Sequence, residues 1–109
     1  MQTTNTEWST LEDQVAKDAF DKAFEREAVT LIASVRDQAE QLQDLGDLWK
    51  LHDFLSVKRH DIDGKYDYRY SFLIFVFARL IKEGWLRLEE LQGLDPDKLA
   101  KISALTRMS

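Results

Sequence analysis

The first 45 residues contain neither glycine nor proline, and that absence constrains the chain more than any other feature. The two residues that most readily end a helix are missing where a long one has room to run. Ser9 followed by Glu12 has capping-box spacing, so the first helix is expected to start at Ser9 and run to about Leu42. Within it Phe24, Ala28, Leu31, Val35, Gln38, Leu42 and Leu45 follow in alternating steps of four and three, a coiled-coil seam with one polar member. Ala16, Phe20 and Ala23 widen the apolar face near its start. A helix of about 34 residues is roughly 50 Å long at 1.5 Å per residue. A chain of 109 residues is too short to cover all of it from one side. The seam therefore predicts a helical dimer, although such spacing also occurs in a long helix of a monomeric bundle.

The punctuation comes later, with glycines at 46, 64, 84 and 93 and the sole proline at 96. Gly46 is expected to end the first helical region and Asp47 to cap a second helix that stops near Gly64. Tyr66, Tyr68, Tyr70 and Phe72 alternate like a strand, but the apolar run that follows ends in Ala78 to Glu83 with Gly84 as a stop, and the segment reads as helix. Being apolar nearly all round, it is expected to be the most buried element. A short helix around Leu88 to Leu91 precedes a last one capped by Asp95, with Pro96 at its first position. The reading is all-α and dimeric, a single domain over 1–109. Residues 1–8 form a flexible N-terminus, about 9–64 the long helices of the dimer, and about 65–109 a helical head.

Several function classes fall away. A net charge of −5 leaves no overall attraction for a phosphate backbone, so nucleic acid is not expected as a partner. No cysteine is present, which removes disulfides, thiolate metal sites and cysteine nucleophiles. A calcium loop with Gly64 at its sixth position puts Arg59 where the first acidic ligand belongs and Tyr70 where the bidentate glutamate belongs. His52 and His60, eight apart, are separated by about 12 Å on one helix, too far to share a zinc ion. No phosphate loop, nucleophile elbow or zinc-protease motif occurs, so enzymatic chemistry is not expected. The N-terminus lacks the basic and apolar regions of a secretory signal, and the longest apolar run, Phe72 to Ala78, is far below the roughly 20 residues that span a bilayer. A soluble, cytoplasmic protein without membrane insertion is the expectation.

One constellation survives. At 100° per residue the second helix gathers Leu48, Leu51, Leu55 and Ile62 on one side and Trp49, His52, Asp53, Ser56, His60 and Asp63 on the other. A tryptophan among polar residues has no place in the chain's own core unless another segment covers it, and such rings are typical interface anchors. Asp53 and Arg59 point about 120° apart on a straight helix. They either meet across a subunit boundary or remain two solvated charges.

The stretch from Trp49 to Asp67, with the Ile74 to Ala78 run, the Lys82-Glu83-Gly84 stop and the closing Lys101 to Met108 segment, closely resembles the fluorescence recovery proteins of cyanobacteria. The resemblance implies an all-helical homodimer without cofactor. Its partner would be the photoactivated red form of the orange carotenoid protein, bound mainly through that protein's C-terminal domain. It would hasten return to the orange form and release from the phycobilisome, ending quenching. The implied location is the cytoplasm, including the cytoplasmic face of the thylakoid membrane. The family's functional cluster falls on Trp49, His52, Asp53 and Arg59, with Asp53 and Arg59 expected to meet across the dimer. Phe75 and Lys101 are the expected contacts in the C-terminal head. Tyr68 and Tyr70 depart from the family's usual pattern. Two other readings are a helix-turn-helix-like nucleic-acid binder built from the last two helices and a structural dimerisation module.

Overall fold

The computed structural model describes residues 7–108. Helix α1 (Thr10–Glu40) is followed by α2 (Leu45–Lys65), α3 (Leu73–Lys82), a 3-10 turn at Leu88–Leu91, and α4 (Pro96–Arg107). Among the described residues there is no strand beyond an isolated bridge between Gln92 and Leu94.

The start of α1 follows its sequence. Ser9 Oγ accepts from the Glu12 amide at 3.1 Å, and the Glu12 carboxylate accepts from the Ser9 amide at 3.1 Å. That carboxylate also receives the Asp95 amide at 2.8 Å and the Lys98 ammonium at 3.0 Å, joining the start of α1 to the start of α4. Burial opposes the charge on Glu12, but these donors hold its carboxyl below the usual range. Residues 1–6 of the segment expected to be flexible lie outside the described residues. Trp8, at the end of that segment, is half-buried, stacks on Tyr70 and lies under the Lys98 ammonium.

Two boundaries differ from expectation. Gly46 lies inside α2 rather than ending α1, because Asp44 is the cap: its carboxylate accepts from the Asp47 amide at 2.8 Å. Asp47 instead accepts from the Gln43 amide at 3.1 Å, which secures the connection between the helices. The other end of α2 is as expected, since the helix stops at Lys65, directly after Gly64. Residues 66–69 are not helical, and α3 starts only at Leu73. The alternating tyrosines lay this segment along α1, where Tyr66 donates to Glu27 at 2.8 Å and Tyr68 and Tyr70 each donate to Asp13 at 2.9 Å. Phe20 meets Tyr66 and Tyr68 edge-on. The period-two signal was thus real but too short to build a sheet.

The core lies in the head. Ala16, Ala19 and Ala23 of α1 pack with Leu73, Val76, Phe77, Ala78 and Leu80 of α3 and with Leu86, Leu91, Leu94 and Ile102. Small residues on α1 let the head close tightly on it, and Gly93 shows how closely: at φ +115° its missing Cβ would stand 2.8 Å from Val15 Cγ2. The first half of α1 therefore packs as part of the head. From residue 28 to 64 nothing is buried, so the rest of α1 and nearly all of α2 form a projecting hairpin arm. The radius of gyration is 17.1 Å, against about 13 Å for a compact chain of roughly 100 residues.

Arg26 ties α1 to the 3-10 turn by a bidentate pair with Glu90 at 2.8 and 2.7 Å. Those hydrogen bonds, together with the Arg87 amide, hold the Glu90 carboxyl at about 2, against 4.5 for a free glutamate, despite partial burial. A carboxyl with a lowered folded value contributes stability that is complete above its unfolded value and is lost as pH falls through the folded one. The melting midpoint is therefore expected to hold above about pH 5 and to fall between about pH 4.5 and 2. Arg26→Met should flatten that descent. Parallel wild-type and variant profiles in thermal melts across this range would refute the role given to the pair.

Candidate functional site

The arm carries the first group of candidate residues. Trp49 on α2 is 55% exposed, so α1 does not cover it. Its ring meets that of His52 edge-on with centroids 6.3 Å apart, and His52 Nδ1 lies 3.4 Å from Asp53 Oδ1. Asp53 and Arg59 make no contact with each other within the protomer; Arg59 lies instead 3.7 Å from Asp63, one turn on. These charges are solvated, and such pairs add little stability. A shallow groove of about 460 Å³ runs along this face, lined by His52, Leu55, Ser56, Arg59, His60 and Asp63. On the opposite side Leu48 is exposed and Leu51 and Ile62 are only half-buried. Both faces of α2 are therefore open.

The head carries the second group. Phe75 is 60% exposed although α3 is otherwise the most buried helix, because its neighbours Val76 and Phe77 take the inward positions. Its ring and the exposed Lys101 of α4 line one groove of about 370 Å³, completed by Tyr70, Ser71, Ile74, Ala104 and Leu105. The groove is mostly apolar, and among the described residues Lys101 makes no ion pair. The structure thus brings Phe75 and Lys101 together, and Trp49, His52 and Asp53 together, as two separate surfaces on head and arm.

Between them lies a cluster that the helical periodicity does not reveal. Lys65, at the end of α2, has a side chain 1% exposed, and its ammonium lies 2.8 Å from Glu27 of α1 and 2.7 Å from Glu83 beyond α3. Asp61 stands 3.8 Å from the same ammonium and 2.6 Å from Arg79, which also reaches Glu83 at 2.8 Å. Burial works against the charge on Glu83, but Lys65 and Arg79 hold its carboxyl below the usual range. The Tyr66 hydroxyl, donating to Glu27, is pushed well above its ordinary value by burial first and by that carboxylate second. Asp61–Lys65 and Arg79–Glu83 are one helical turn apart, but the contacts that join the elements span up to 39 residues, and no local spacing announces those. The cluster joins arm to head.

Residues 8–106 match the family described as photoprotection regulator fluorescence recovery protein. The chain is 55% identical to the fluorescence recovery protein of Synechocystis sp. over 108 residues, 99% of each chain. The chain belongs to the fluorescence recovery protein family. The solved structure of the Fremyella diplosiphon fluorescence recovery protein is 64% identical, with a TM-score of 0.91 over 94% of this chain and all of that one. That of the Synechocystis protein is 56% identical, with a TM-score of 0.90 at the same coverage. Fluorescence recovery proteins are regulators of photoprotection and not a known family of enzymes. Among the described residues of this member no group of His, Asp and Glu is placed to hold a metal ion, and no helix is long and apolar enough to cross a membrane.

Proposed function

We propose that this fluorescence recovery protein binds the photoactivated red form of the orange carotenoid protein, mainly through its C-terminal domain. Binding accelerates return to the orange form and promotes detachment from phycobilisomes, which ends quenching and restores antenna fluorescence. The observation that carries this reading is full-length membership of the family together with the exposed Trp49, His52 and Asp53 group on an arm that has no fully buried residue between 28 and 64. A large ring held in water costs about 25 cal/mol per Å² of apolar area, which a partner surface recovers.

The protein acts as a homodimer in this reading, through the arms. Leu31 and Val35 on α1 and Leu42 just beyond it are only half-buried, and Leu45 and Leu48 at the start of α2 are exposed, which favours a second copy as cover. Asp53 and Arg59, apart within one protomer, are assigned to a contact across that dimer. Phe75 and Lys101 form the partner contact of the head. The protein works in the cytoplasm or on the cytoplasmic face of the thylakoid membrane, without inserting.

A binder speeds a partner's relaxation only if it holds the transition state more tightly than the starting form. Holding separated domains near their docked geometry achieves this. Release of the compact orange form must follow, because equal affinity for both forms would leave the protein saturated with product. The expected result is faster recovery of orange absorbance in the dark when a substoichiometric amount of the chain is added to the red form. Tight binding to the red form and weak binding to the orange one should accompany it. Unchanged recovery, or comparable affinities for the two forms, would rule the mechanism out.

A further inference from the structure

The groove of the head has a wall that its position in the sequence does not explain. Tyr70 is 46% exposed, yet its ring is fixed from three directions. Its hydroxyl donates to Asp13 Oδ1 at 2.9 Å, its face stacks on Trp8 at 5.9 Å between centroids, and its edge meets Tyr68 at 6.1 Å. The same Asp13 oxygen accepts the Tyr68 hydroxyl at 2.9 Å, so one carboxylate in the first turn of α1 holds both phenols. An exposed aromatic ring that is already immobilised loses little side-chain freedom when a partner packs on it. Lys101 and Ser71 line the same groove, while Ile74, Phe75, Ala104 and Leu105 make the remainder apolar.

We infer that Tyr70 is a specificity-determining residue of the head, with Asp13 as its positioning residue. The occupant is a segment of the carotenoid protein's C-terminal domain that presents an apolar side chain beside a carboxylate. The apolar group packs between Tyr70 and Phe75, and the carboxylate meets the Lys101 ammonium. Charge selects the occupant: a basic flank would be repelled by Lys101, and a purely apolar one would leave that ammonium desolvated without a partner. The inference rests on the proposed function, because it names the chemistry through which the head would engage that partner.

The test measures dark recovery of the red form against concentration for the wild type, Tyr70→Ala, Tyr70→Phe and Asp13→Ala. Tyr70→Ala is expected to raise the half-saturating concentration about tenfold, the scale of a single lost aromatic anchor, while the maximal rate is kept. Tyr70→Phe retains the ring and its stacking on Trp8 but loses the bond to Asp13, so it should lie between wild type and Tyr70→Ala, nearer to wild type. Asp13→Ala should fall between them, since both rings lose their anchor but remain. A merely structural role would lower the melting midpoint without separating the half-saturating concentration from the maximal rate. Wild-type half-saturation in Tyr70→Ala, beside a wild type that accelerates recovery, would overturn this inference alone. A wild type that accelerates nothing would overturn it together with the proposed function.

Discussion

Lys65→Met should lower the melting midpoint by at least about 12 °C, the largest stability loss expected of any single substitution in this chain. Methionine fills much the same space, so the packing change is small. What it removes is the ammonium that Glu27 and Glu83 meet at 2.8 and 2.7 Å, in a place where the Glu27 side chain is only 6% exposed. Breaking a buried pair by deleting one partner costs about 3–5 kcal/mol, because the remaining charge is left without compensation. A domain of this size loses roughly 4–8 °C per kcal/mol. Adding Glu27→Gln to Lys65→Met should recover part of the loss, since the stranded carboxylate is then gone. Thermal unfolding at one fixed protein concentration checks this. A shift under about 3 °C would mean that water compensates the carboxylates and that the cluster is not a structural joint.

Trp49→Ala is expected to weaken acceleration of orange-form recovery by at least about 30-fold, corresponding to roughly 2 kcal/mol for a tryptophan at the centre of an interface. More than half of its surface is open to solvent in its own protomer and it belongs to no core cluster, so its removal should change the melting of the isolated protomer little. The loss should therefore appear in recovery kinetics and not in folding. Sedimentation of the variant separates two routes to that loss. A mass equal to that of the wild type assigns Trp49 to partner contact, and a mass below it assigns Trp49 to assembly of the arms. Recovery indistinguishable from wild type would remove Trp49 from the functional surface altogether.

Helix content and the position of most elements were legible because the signals are local. The capping box at Ser9 and Glu12 starts α1, and Asp95 with Pro96 starts α4, because caps act within a single turn. The exposure of Trp49 was legible for a similar reason, since a wheel needs only the helix itself. Misplaced boundaries arose where a neighbour in space took over. Gly46 continues α2 because Asp44 caps it, and residues 66–69 stay outside any helix because tyrosines at alternate positions find acceptors on α1. The candidate site divides in the same way. Trp49, His52 and Asp53 share one stretch of helix, whereas the groove that unites Tyr70 and Phe75 with Lys101 needs α3 and α4 packed together.

Spacing and capping alone thus determined a helical chain with a long first helix, an amphipathic second one and an aromatic ring left outside the core. Tertiary structure alone decided that the core lies at one end, that the arm projects from it, and that Glu27, Lys65 and Glu83 close the joint between them. Caps and periodicity express interactions across one or two turns, which the order of residues contains directly. Buried ion pairs and grooves join residues far apart in sequence, and their partners are settled only when packing excludes water from the space between them.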